Sequence, residues 1–84
     1  NDINEARKVL LDILMKDDAI LKEEKIEVVV ESLGDSSVIL GWHAWVRPEN
    51  YFPAKWRITE EIKYRFDENQ IEIPYQQIDV KINR

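Results

Sequence analysis

The sequence predicts an α+β fold in which two helices cover one face of an antiparallel sheet. Three observations carry that expectation. Two stretches place apolar residues at the roughly 3.6-residue period of an amphipathic helix. Between them lie two runs that alternate apolar and polar residues and sit close enough to pair as a hairpin. A last alternating run follows the second helix, so the elements come in the order α-β-β-α-β.

The first helix is predicted over residues 1–17, "NDINEARKVLLDILMKD". Asp2 is placed as its N-cap, with Glu5 three residues later completing a capping box over the orphan amides. Ile3, Ala6, Leu10, Ile13 and Leu14 form the core face. Asp17 and Asp18 end the helix, because negative charge is unfavourable at a C-terminus. Ile20 and Leu21 then plug the connection into the core.

"KIEVVVESL" reads as a strand with Ile26, Val28 and Val30 on one side and Glu27 and Glu31 on the other. Gly34 to Ser37 supply turn residues. "VILGWHAWV" is the second strand, with Val38, Leu40, Trp42, Ala44 and Val46 facing the core. Residues 47–50 break the pattern. The second helix spans 51–69, with Pro53 acceptable only in its first turn, where no amide donor is lost. Ile58, Ile62 and Phe66 form its apolar stripe, and Tyr51 falls near it. Asn69 is expected to take the left-handed conformation that stops the helix. Ile13, Val28, Leu40, Ile58 and Ile62 are the predicted heart of the core.

The last run alternates Ile78, Val80 and Ile82 with Asp79, Lys81 and Asn83. The whole order is the split β-α-β pattern of a ferredoxin-like sandwich lacking its first strand. That strand is expected just before Asn1, which makes the chain a fragment of a longer protein. With two glycines and no linker, residues 1–84 form a single domain.

Composition excludes several functions. A net charge of −5 argues against a nucleic-acid face, which would be basic. No apolar run approaches the ~20 residues of a membrane span, and no signal peptide is visible. The absence of cysteine removes disulfides and thiolate metal sites. His43 is the only histidine and has no second imidazole to share a metal. By strand parity it sits opposite the Trp42 face, beside Ile39 and Trp45, as a surface or interface residue. The pairs Asp17–Asp18, Glu23–Glu24 and Glu60–Glu61 lack the spacing of a calcium loop and read as solvated faces. Ser36 and Ser37 lie in a hairpin turn with no base, not in a nucleophile elbow. No catalytic, metal-binding or cofactor-binding residue is therefore assigned, and the chain is not read as an enzyme. Trp45, on the outer strand face, either covers a second layer or makes a protein contact.

"YRFDENQIEIPYQQIDV" resembles the C-terminal domain of the small-conductance mechanosensitive channel (MscS) family. The family motif has the form F-D-x-x-G-I-x-[IF]-P-[FY]-P-Q-x-D-V. Phe66, Asp67, Ile71, Ile73, Pro74, Tyr75, Gln77, Asp79 and Val80 fit it. The "ESLGDSSV" turn, Trp45 and the Trp56 to Ile62-Lys63 spacing are similar too, so the likeness covers nearly the whole chain. Gln70 stands where a helix-ending glycine is usual, and Gln76 where a second proline is usual.

The resemblance implies a homo-oligomeric channel, a heptamer with a hollow cytoplasmic cage whose terminal strands join in a closed barrel. It implies a place on the cytoplasmic side of the inner membrane and a role in releasing solutes under tension during osmotic downshock. Residues 78–84 become a terminal assembly strand that pairs outside its own domain. The candidate oligomer-interface residues are Trp45, Tyr75, Ile78, Val80 and Ile82. The alternative is a free-standing ferredoxin-like regulatory module that binds a ligand.

Overall fold

The computed structural model describes residues 2–33, 37–72 and 79–82. Helix α1 spans Asp2–Lys16, strand β1 Glu27–Leu33 and strand β2 Ser37–Val46. A 3₁₀ turn over Pro48–Asn50 leads into helix α2, Tyr51–Glu68, and strand β3 is Asp79–Ile82. The α+β class and the α-β-β-α-β order are as expected.

Helix α1 buries Ala6, Val9, Leu10, Ile13 and Leu14, and α2 buries Ala54, Ile58, Ile62 and Phe66. Both pack on the face of β2 that carries Leu40, Trp42, Ala44 and Val46. Ile20 is buried in the same cluster, and the Leu21 amide donates to the Trp45 carbonyl at 2.9 Å, so the plug is pinned to β2. Asp2 is the first residue of α1 rather than the cap before it. The helix does end where Asp17 and Asp18 begin.

β1 and β2 form the antiparallel hairpin, with Val28 opposite Trp42 and Val30 opposite Leu40. Ser37, assigned to the turn by sequence, already pairs with Leu33. Val28 is only half-buried, against the expectation for it. The sheet order is β1-β2-β3, so β1 is an edge strand, and its core-facing residues are less covered than those of β2.

Further findings concern the C-terminal third. The expected antiparallel sheet is present as the β1–β2 hairpin, and β3 adds a strand parallel to β2, with His43 opposite Asp79 and Val46 opposite Ile82. The terminal strand was expected to pair outside its own domain. Of its residues, those described, 79–82, pair with β2 in the same sheet. A parallel neighbour needs a crossover of a dozen or more residues, and α2 provides one. Without β3, moreover, the central strand would present an open row of peptide groups.

The helix stop also differs. Asn69 has φ −94°, and Gln70 is the left-handed residue, with φ 58°. The Ile71 amide donates to the Phe66 carbonyl at 2.8 Å and the Gln70 amide to that of Asp67 at 3.2 Å. This is a Schellman cap, and buried Ile71 and Phe66 supply its apolar contact. Ring closure by these two bonds dictates which position turns left-handed, whatever residue occupies it.

Candidate functional site

Among the described residues no polar or charged residue is buried as a whole, and no three potential metal ligands converge. What the described residues present are exposed faces and strand edges.

The first is the outer face of the sheet. Alternation along β2 puts Ile39, Gly41, His43 and Trp45 there, opposite the helix-covered positions. Cross-strand register adds Glu27 beside His43 and Val29 beside Gly41. The Nδ1 of His43 lies 3.4 Å from a Glu27 carboxylate oxygen, and its Nε2 is buried without a hydrogen-bond partner among the described residues. Such a carboxylate–imidazole pair orients the ring. Trp45 is half-buried on this face, between the two alternatives its sequence position left open.

Of the other candidate interface residues, Tyr75 and Ile78 lie outside the described residues. Val80 and Ile82 belong to β3, in register with Ala44 and Val46. Both partners are fully buried positions of β2. The structure thus brings Trp45 and β3 onto neighbouring strands of one sheet.

The second surface lies on the helices, and sequence reasoning missed most of it. Phe52 and Trp56 are 56% and 66% exposed, although each is a large aromatic residue. Their rings lie 5.6 Å apart, and Tyr51 meets Phe52 edge-on at 4.9 Å. Leu11 and Met15 of α1 are also exposed. The available signal was their i, i+4 spacing off the main stripe, which marks a second apolar ridge on each helix.

Charge pairs hold the two helices together. Arg57 donates from Nε to Asp17 Oδ2 at 3.0 Å and from Nη2 to Oδ1 at 2.7 Å. Arg65 Nη2 donates to Asp12 Oδ2 at 3.2 Å. Burial works to raise the Asp17 carboxyl, but the Arg57 hydrogen bonds, the Ala19 amide and the charges of Arg57 and Lys22 hold it below the usual range. The bond from Arg65, with help from Lys16, lowers Asp12 likewise.

Comparison with known proteins decides the family. Residues 1–73 match the family described as "Mechanosensitive ion channel MscS, C-terminal". The chain belongs to the MscS family. An MscS family protein of Synechocystis is 36% identical over 81 residues, which are 96% of this chain and 27% of that protein. An MscS family protein of Archaeoglobus fulgidus is 30% identical over 77 residues, 92% of this chain and 27% of its own length. A small-conductance mechanosensitive channel of Edwardsiella ictaluri is 27% identical over 81 residues, 96% of this chain and 28% of that protein. The chain thus spans little more than a quarter of the MscS relatives it matches. No helix among the described residues is long and apolar enough to cross a membrane. Within the MscS pattern, Gln70 keeps the left-handed turn at the position where glycine is usual.

Proposed function

We propose that this chain is the cytoplasmic assembly domain of a mechanosensitive channel, which releases solutes under membrane tension during osmotic downshock. The observation that carries the reading is the match of residues 1–73 to the MscS C-terminal domain. The channel is a homo-oligomer, and the heptameric ring of the family resemblance is the proposed stoichiometry. Ring closure needs surfaces that copies can share. The edge of β3 not used by β2 is one, and the outer sheet face around Trp45 is another. Tyr75, Ile78, Val80 and Ile82 are proposed to serve the same contact, with 79–82 remaining paired to β2. Anchoring in one membrane raises the effective concentration of the domains, so modest contacts suffice.

The test is to reconstitute the full polypeptide that carries this chain and record from excised patches under stepped suction. Conductance that appears only under tension is the expected result. A full polypeptide that reaches the bilayer yet passes no tension-dependent current overturns the reading.

A further inference from the structure

We propose that His43 is an acid-engaged clamp across the sheet: on taking up a proton, its ring binds Glu27 of β1 and Asp79 of β3 together and tightens the hold of β2 on the C-terminal strand. The inference concerns this chain's own sheet and is independent of the channel reading.

Strand register builds the cluster. His43 sits on the central strand, on the face opposite the helix-covered positions. Its partner position is Glu27 on β1 and Asp79 on β3, so a carboxylate residue flanks it on each side. Directly opposed positions on paired strands hold their Cβ atoms about 4.5–5.5 Å apart, within reach of short side chains. On the β1 side the contact is made, with His43 Nδ1 3.4 Å from Glu27 Oε1. The other ring nitrogen, Nε2, is buried without a hydrogen-bond partner among the described residues. Buried polar groups are nearly always paired, so an idle nitrogen on this ring needs a physical reason.

Imidazole chemistry supplies one. The neutral ring carries a single N–H and can donate to one carboxylate; the charged ring carries two and can donate to both. Two flanking carboxylates are therefore fully served only by the charged form. Histidine is the side chain that changes charge between about pH 5 and 8. The His43 side chain, 30% exposed, is open to solvent protons. Other charges around it compete little. Lys25 lies 3.4 Å from Glu27 but is 76% exposed, so solvent screens it. Lys22 is turned to the carbonyls of Asp17 and Ile20, and Lys81 is in register with Trp45. Glu23 and Glu24 lie on the connection between Leu21, bonded to Trp45, and Glu27, and add negative charge at this end of the sheet. The charged ring finds its two carboxylates only in the folded sheet, so protonation favours folding. The gain is complete at the acid end of the range, until the carboxylates themselves take up protons, and is lost as pH rises. The C-terminal strand gains most, because it has only four residues and Asp79 is the first of them.

The test is amide hydrogen exchange of this chain, read by NMR as protection factors for residues 80–82 between about pH 8 and about pH 5.5. His43 is the only histidine, so its ring signal follows the proton in the same samples. Protection at 80–82 is expected to rise on acidification by about twofold to fivefold, the scale of a partly exposed ion pair. His43→Gln should hold it constant. Asp79→Asn and Glu27→Gln, which keep side-chain size, should each reduce the rise. A flat or falling profile in the parent, or a rise that survives His43→Gln, overturns the proposal. A rise that survives Asp79→Asn overturns it too, because the ring then acts on Glu27 alone.

Discussion

Arg57 holds Asp17 across the helix pair through two hydrogen bonds of 3.0 and 2.7 Å, and the Ala19 amide donates to the same carboxylate at 2.9 Å. The Asp17 side chain is 9% exposed, while that of Arg57 is 52% exposed. One carboxylate thus closes the end of α1, orders the plug that follows and fixes α2 against both. Lys22 adds to this corner by donating to the carbonyls of Asp17 and Ile20.

Replacing Arg57 with Ala should destabilise the domain by about 1–2 kcal/mol, the lower end being favoured by solvent screening of the half-exposed guanidinium. Lys at this position should restore only part, because it cannot make the two-pronged contact. The folded-state Asp17 carboxyl is lowered from its ordinary 3.8. Its contribution is therefore complete above that value and fades as pH falls through the lowered folded value. Urea midpoints of the parent and Arg57→Ala should differ at neutral pH and converge in strong acid.

Ile62 is fully buried at the centre of α2. Ile62→Ala should cost about 2–5 kcal/mol. Val28, half-buried on the edge strand, should lose much less on the same truncation. Comparable losses at both sites in equilibrium unfolding would contradict the placement of the helices over β2.

Gln70 occupies a left-handed position at φ 58°. Gly there should stabilise by up to about 1 kcal/mol, since the strain of a side chain in this region exceeds the added freedom of the unfolded chain. A higher melting temperature for Gln70→Gly is the expected reading; a lower one would mean that the side chain itself supports the cap.

Deleting residues 78–84 removes β3 and strips one edge of β2. The loss should be about 2 kcal/mol, a fall of about 8–16 °C in melting temperature for a domain this small. An unchanged melting temperature would show that the strand adds nothing to its own sheet.

Local periodicity made much of this molecule legible. Leu10, Ile13 and Leu14, then Ile58, Ile62 and Phe66, repeat at the helical period because one stripe of each helix meets the sheet. Val28 and Val30 pair with Trp42 and Leu40 because a short connection leaves a hairpin few other choices. The motif from Phe66 to Val80 was enough to indicate the family.

Tertiary structure decided the rest, for reasons that local pattern does not encode. The alternation of Ile78, Val80 and Ile82 says that a strand has two unlike faces; it carries no information about which strand lies beside it or in which direction. That choice fell to the open edge of β2 and the reach of α2. Asp12–Arg65 and Asp17–Arg57 are separated by 53 and 40 residues, and their partners are selected only when the helices pack. The exposure of Phe52 and Trp56 likewise follows from where α1 sits, because a helix can bury an apolar ridge only against an element that reaches it.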